Sequence, residues 1–184
     1  KHPEFNNVMH RDNLLNDLKT SNGLLESITQ GLNAYLEAKR HGFPRFFFLS
    51  NDELIEILSH TKDFDQIQKS MNKLFEYVQT ITVNDELLIT AMNDDGLESV
   101  QFHQPVNGNT PEIEDWLNSF EEEMKTTLRL QIKQALEKVD ETPKDKWISE
   151  YPAQAILIAN QIVWTQKVTQ SLETRTLRQM KLLQ

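Results

Sequence analysis

The stretch Phe43-Pro44-Arg45-Phe46-Phe47-Phe48-Leu49-Ser50-Asn51-Asp52-Glu53-Leu54 packs a helix stop, an aromatic run and a helix start into a few residues. Pro44 and four closely spaced phenylalanines have no helical period, so residues 43–49 read as an extended connector whose rings plug neighbouring helices. Ser50 then opens a helix. Ser50 and Glu53 have the S-x-x-E spacing in which each side chain satisfies the other's free backbone N–H. Leu54, Ile57 and Leu58 give that short helix an apolar side. Arg45 is the one charge inside the aromatic run, and its plain role is to cap a helix C-terminus or pair with a carboxylate.

Upstream the chain is helical. Leu18, Leu25 and Leu32 stand seven apart, with Leu14, Ile28 and Tyr35 between them, an a/d-like seam interrupted by Ser21. Asn22-Gly23 is a place where it could break or kink, and Gly42 with Pro44 ends it. Downstream, Asp63 signals another helix start, followed by Phe64, Ile67, Met71, Leu74, Phe75 and Val78 at helical spacing. Strand-like runs follow at Thr82-Val83, at residues 87–92 and at residues 100–102, with Asp94, Asp95 and Gly96 as a hairpin tip. Residues 105–111 read as a loop, and Thr110-Pro111 as N-cap and first turn of a long helix. Ile113, Leu117, Phe120, Met124, Leu128, Ile132, Ala135 and Val139 step along it by three or four. Thr142-Pro143 ends it. Trp147-Ile148 and Tyr151-Pro152 form a short aromatic junction. A last helix from Ala153 is apolar nearly all round in its first half, which predicts deep burial. Beyond Glu173 it turns more polar, with Leu177, Met180 and Leu183 as an apolar line.

These elements make a mainly α chain, an elongated bundle of long antiparallel helices with one small β-hairpin. Three segments are expected: 1–80, helical with the aromatic connector; 81–109, hairpin and loop; 110–184, the C-terminal long helices. The opening at Lys1 without Met and the helix-like end at Gln184 read as an intracellular piece of something longer.

Composition narrows the function. A net charge of -9 argues against broad phosphate-backbone binding, hence no nucleic-acid partner is expected. No apolar run approaches the roughly 20 residues that span a bilayer, hence no membrane partner either. With no cysteine, disulfides and cysteine-ligated zinc are excluded. The five glycines form neither a phosphate loop nor a dinucleotide turn. Aligning Gly96 with the sixth position of a calcium loop puts Ala91 and Phe102 where carboxylates belong, so Asp94-Asp95-Gly96 reads as a solvated tip. The histidines are scattered, and His60 with Asp63 and Asp65 looks like a helix boundary. Glu121-Glu122-Glu123 reads as a solvated helix face. Trp116, Trp147 and Trp164 read as core, with exposed partner anchors as the alternative. No catalytic, cofactor-binding or metal-ligating residue emerges.

Several blocks, in order, resemble one family. Residues 35–40 (Tyr-Leu-Glu-Ala-Lys-Arg), then 43–50, then 51–59 are similar to the linker region of dynein heavy chains. Residues 24–36 resemble the helix that leads in. Ile89-Thr90-Ala91-Met92 with Gly96 and Val100 resembles the family's hairpin. Trp116-Leu117 after Glu114 resembles its next helix start, and Pro152 and Gln154 with residues 161–165 its last marker. Tyr151 stands where the family usually has Trp, and residues 95–99 depart from its Glu-Gly-Glu hairpin. The wording of residues 47–53 is closer to axonemal chains and leans toward an inner-arm type.

The resemblance implies a mechanical arm without catalysis of its own, lying over an ATPase ring in the same heavy chain and bending as nucleotide changes. ATP and magnesium would belong to that ring, and microtubules would meet other parts of the parent. Other dynein subunits are further partners, and the location is the cytoskeleton, in the axoneme of a cilium or flagellum. On that reading residues 43–50 and Glu53 are a structural junction. The alternatives are a helical interaction or scaffold module unrelated to a motor, with residues 173–183 docking in a groove, and an unrecognised hydrolase.

Overall fold

A computed structural model describes residues 13–96 and 98–173. The chain divides into two compact units, Lys1–Ser59 and His60–Gln184. The first division therefore falls after Ser59, and the helix that follows Asp63 belongs with the sheet rather than with the N-terminal helices.

In the first unit, helix α1 spans Leu14–Gly42, about 44 Å at 1.5 Å per residue. It runs through Asn22-Gly23 unbroken, because a single glycine costs a helix interior only about 1 kcal/mol and the helix formers Leu24, Leu25 and Glu26 follow it. A 3-10 helix, Pro44–Phe48, and helix α2, Asn51–Ser59, complete the unit. Residues 43–49 are thus not an extended connector. Only Phe43 and Leu49 are extended, and Pro44 sits at the first-turn position its fixed φ suits.

The second unit opens with α3, Phe64–Leu74, capped by Asp63, whose side chain accepts from the N–H groups of Asp65 and Gln66. The helix stops sooner than its apolar spacing suggests. Phe75 and Val78 are buried in the turn that follows, where Tyr77 has φ 69° and the chain passes into β-branched sequence.

Strands β1 (Thr80–Val83), β2 (Leu88–Asn93) and β3 (Ser99–Asn107) form an antiparallel sheet in the order β1-β2-β3. The expected hairpin is β2–β3, and β1 adds a third strand. Ala91 pairs with Gln101, and Ile89 with Val106. Residues 102–105 therefore stand opposite Thr90 alone. Pro105, expected in a loop, is tolerated because it lies in this slip on an outer strand, where β2 needs no N–H from it.

Helix α4, Ile113–Lys138, packs on β3. It begins later than Thr110-Pro111 suggested. The Thr110 hydroxyl donates to the Glu112 carbonyl at 2.7 Å, so it closes a turn and does not cap the helix. Phe120 meets Phe75 and Phe102 at ring-centroid distances of 5.0 and 5.2 Å. Ile67, Met71, Ile89 and Leu117 of the same unit are fully buried as well.

After α4, the short helix α5 (Lys144–Glu150) doubles back. The Trp147 indole N–H donates to the Ala135 carbonyl at 2.8 Å, and the Tyr151 hydroxyl to Gln134 at 3.4 Å. Helix α6, Ala153–Glu173, follows. Ala159 packs with Ala135, and Lys167 reaches Asp140 at 3.6 Å. Contacts step the same way along both helices, so α6 runs in the sense of the end of α4 and α5 alone takes the antiparallel place beside it. Deep burial of α6 is not what the structure has. Only Ala155, Ala159 and Ser171 are buried, while Leu157 is 65% exposed. The tryptophans split as well: Trp116 and Trp147 are core, and Trp164 is 53% exposed. Residues 177, 180 and 183 lie outside the described residues.

Gly108 tests this arrangement. A Cβ there would lie 2.5 Å from the Phe64 ring and 2.9 Å from the Leu87 carbonyl, a backbone atom that cannot yield. Gly108→Ala is expected to destabilise the chain by about 1–3 kcal/mol, read as a lower urea midpoint. Gly23→Ala, whose Cβ meets nothing within 4 Å, is expected to stabilise by up to about 1 kcal/mol. Equal midpoints for the two variants would contradict the packing described.

Candidate functional site

The junction begins on the last turns of α1. Arg40 falls four residues after Leu36 and three before Phe43, on one helix face, and all three are buried. A buried guanidinium must find acceptors, and this one has three. Its Nη1 donates to Glu37 Oε1 at 3.0 Å. Its Nη2 donates to Asn51 Oδ1 at 2.8 Å and to the Leu49 carbonyl at 3.3 Å. One side chain thus ties the end of α1 to the end of the 3-10 turn and the first residue of α2. The positive charge also sits where the α1 dipole favours it.

The aromatic run divides into two pairs. Phe43 and Phe46 are buried, edge to face at 5.1 Å, and Leu49 is buried beside them in sequence. Phe47 and Phe48 are 57% and 67% exposed. The 3-10 period of three puts Phe43, Phe46 and Leu49 on one side. The Phe47 ring lies 5.8 Å from the Arg40 guanidinium and 6.3 Å from the His41 ring. Arg45 is half-buried between Pro44 and Phe46. The S-x-x-E pair forms as its spacing indicates: Glu53 Oε2 accepts from the Ser50 N–H at 2.8 Å, and Ser50 Oγ from the Glu53 N–H at 3.3 Å. Arg40 was missed in the sequence. The signal that could have revealed it is a charge on the apolar face of α1 one turn before its stop.

The hairpin tip belongs to the second unit. Asp94 Oδ1 accepts from the N–H groups of Gly96 and Glu98 at 3.1 and 2.9 Å. Gly96 has φ 112°, a conformation that suits glycine. Asp95 precedes it in the turn. Beyond the tip, Glu98 Oε1 accepts from the Ala153 N–H at 2.7 Å, at the first residue of α6. The tip is thus fastened to a helix start as well as solvated.

The slip in β3 frees two N–H groups that α4 takes up. His103 N–H donates to Thr127 Oγ1 and Gln104 N–H to Glu123 Oε1, each at 2.9 Å, and the Thr127 hydroxyl donates to Glu123 at 3.0 Å. Glu123 is therefore not part of a solvated run. Glu121 and Glu122 are paired on the surface with Lys125, whose pKa their hydrogen bonds raise, Glu122 first. Among the described residues no group of three or more His, Cys, Asp or Glu is placed to hold a metal ion, and no helix is long and apolar enough to cross a membrane. His60 and Asp63 meet only as a helix boundary, the Asp63 N–H donating to the His60 carbonyl at 2.9 Å.

Arg40→Met keeps the apolar stem and removes the donors, and is expected to cost about 1–3 kcal/mol. Arg40→Lys is expected to recover little, since an ammonium lacks the planar fork that reaches Leu49 and Asn51 together. Circular dichroism during urea unfolding checks both. A loss within about 0.5 kcal/mol for Arg40→Met, the range of ordinary surface changes, would remove Arg40 from the junction.

Comparison with known proteins points to one family. The family described as dynein heavy chain, N-terminal region 2 matches residues 1–135. The human dynein axonemal heavy chain 3 is 42% identical over 163 residues, 87% of this chain and 4% of that protein. The human dynein axonemal heavy chain 1 is 36% identical over 175 residues, 95% of this chain and 4% of that protein. The cytoplasmic dynein heavy chain of Dictyostelium discoideum is 35% identical over 167 residues, 86% of this chain and 4% of that protein. This chain thus spans about one twenty-fifth of the relatives it matches. With the junction, the sheet and most of α4 inside the matched residues, it belongs to the dynein heavy chains, as N-terminal-region sequence of the axonemal type.

Proposed function

We propose that this chain is a segment of the linker arm of an axonemal dynein heavy chain, and that it carries force without catalysing any reaction. The observation that supports this reading best is the Arg40 junction. A lever segment must change direction between helices without becoming a free swivel. Arg40 meets that need by holding a backbone carbonyl and a side chain on the far side of the turn to the end of α1. Phe43 and Phe46 fill the inside of the same turn.

On this reading the ATPase ring of the same polypeptide is the intramolecular partner, and ATP and magnesium act there. Microtubules are met by other parts of the parent, other dynein subunits complete the motor, and the place of work is the axonemal cytoskeleton of a cilium or flagellum. A helical interaction module is the second reading. Exposed Leu157, Trp164 and Leu172 on α6 favour it, since surface apolar residues of this size can anchor a partner.

The test uses the parent heavy chain carrying Arg40→Met. The expected outcome is a several-fold slower microtubule gliding speed with basal ATP turnover unchanged. Unchanged gliding speed in a folded variant would refute the proposal, as would nucleotide hydrolysis traced to residues 1–184. A stoichiometric external partner that is lost on Trp164→Ala, with gliding intact, would favour the second reading.

A further inference from the structure

A peptide nitrogen that follows aspartate or asparagine can attack the side-chain carbonyl carbon before it. Glycine is the best nucleophile of this kind, because it has no side chain to block the approach. Three such pairs occur in this chain: Asn22-Gly23, Asp95-Gly96 and Asn107-Gly108. In an open chain at neutral pH the asparagine pairs react faster, because a carboxylate resists a nucleophile. The fold treats the three pairs differently. Asn22-Gly23 lies inside α1, where the Gly23 N–H belongs to the helix ladder. Asn107-Gly108 stands at the end of β3, and there the Gly108 N–H donates to the Leu87 carbonyl at 2.9 Å. Gly108 is buried against the Phe64 ring, and Asn107 Oδ1 accepts from the Asn109 N–H at 2.9 Å. Nucleophile and carbonyl are both held at that pair. At the hairpin tip, Asp95 and Gly96 are both exposed. A Cβ on Gly96 would meet nothing within 4 Å, so the Asp95 side chain has room to swing toward it. The Gly96 N–H donates to Asp94 Oδ1 at 3.1 Å, a carboxylate able to take its proton.

We propose that Asp95 is a covalent modification site, at which the native fold permits slow conversion to isoaspartate while it protects both asparagine pairs. The Gly96 nitrogen bonds to Asp95 Cγ, an attack favoured because both atoms belong to one tight turn. The C–OH bond of the protonated carboxyl breaks, and the hydroxyl leaves with the N–H proton as water. A five-membered succinimide remains. Water then adds to one of its two carbonyl carbons, and the C–N bond at that carbon opens. Opening at Cγ restores aspartate. Opening at the main-chain carbonyl carbon leaves Gly96 joined to Cγ, and the former main-chain carbonyl becomes a free carboxylate. Composition and charge are unchanged, but the backbone gains one carbon. The tip has no slack for that carbon, since turn length fixes hairpin register. The Asp94 N–H donates to the Glu98 carbonyl at 3.1 Å, and Asp94 Oδ1 also accepts from the Glu98 N–H at 2.9 Å. Lengthening the chain between Asp94 and Glu98 displaces Glu98, whose carboxylate accepts the Ala153 N–H at the start of α6. The modification therefore loosens the tip from that helix.

The test incubates the intact parent heavy chain for weeks in neutral buffer made with heavy-oxygen water, at physiological temperature. Each opening of a succinimide then marks its residue with one heavy oxygen, and electron-transfer fragmentation of peptides separates isoaspartate from aspartate. In the native protein, Asp95 is expected to gain isoaspartate and heavy oxygen several-fold faster than Asn22 or Asn107 deamidates. In urea the order is expected to reverse. Asp95→Glu keeps the charge but would need a larger ring, and is expected to take up no heavy oxygen at that position. Native conversion at Asp95 no faster than at Asn107 overturns the proposal, as does the same order in folded and unfolded chains. Hydrogen exchange at the Ala153 amide is expected to speed several-fold in aged wild-type protein and to stay constant in aged Asp95→Glu. Unchanged exchange in protein that carries the isoaspartate overturns the link to α6. Neither readout depends on gliding speed, so the lever proposal stands or falls separately.

Discussion

Wherever the backbone of this chain leaves a helix or a ladder, it must still find partners for its N–H and C=O groups. Side chains from nearby helices and from the hairpin tip supply several of them. Arg40 takes the Leu49 carbonyl at the end of the 3-10 turn. Thr127 and Glu123 take the two N–H groups that β3 withholds from β2. Glu98 takes the first N–H of α6, and Trp147 the Ala135 carbonyl near the end of α4. Gln68 of α3 reaches the Ile81 N–H on the outer strand at 3.4 Å. Apolar burial gives the elements a reason to collapse, but it has no direction. These bonds do have direction, and each is made at a place where the chain changes course.

That division of labour explains how the aromatic run is used. Apolar burial between rings is non-directional, so by itself it does not tie one backbone segment to another. The 3-10 period buries Phe43 and Phe46 and turns Phe47 and Phe48 outward, so only half the run contributes to the plug. The guanidinium then fixes the register between the end of α1 and the start of α2. The second unit repeats this logic with a carboxylate and a hydroxyl, since there the backbone offers donors rather than acceptors.

Much of the helical skeleton was legible because its signals are local. Asp63 caps α3, Ser50 and Glu53 form a reciprocal pair, and the three-and-four spacing from Ile113 to Ala135 lies on one helix. The Asp-Gly tip announced the β2–β3 turn. Features that depend on residues far apart in sequence were not legible. The third strand requires Thr80 to find Asn93. The place of Pro105 follows from a register slip that periodicity cannot express. Glu123 looks like its two neighbours until β3 is laid beside it. The junction was visible as a stop, a run and a start, yet its central residue lay outside the quoted stretch, at Arg40, where a lone charge on a helix draws little notice.

The same distinction governs the long helices at the two ends. Hydrophobic sequence states that a face avoids water, not what covers it. In α6 the fully buried apolar residues are Ala155 and Ala159, small side chains, and Ala159 packs with Ala135 and Trp147 while Ile156 is partly buried beside them. Larger residues such as Leu157 and Trp164 then lie on the side away from that contact. In α1 the last turns are covered and the first are not. A compact, self-contained domain buries its largest apolar residues first. Helix α6 buries alanine while exposing Leu157 and Trp164, and the first turns of α1 leave Leu18 and Leu25 exposed, so the large apolar residues of both helices are not used in packing among the described residues. That pattern suits a chain spanning about 4% of its heavy-chain relatives.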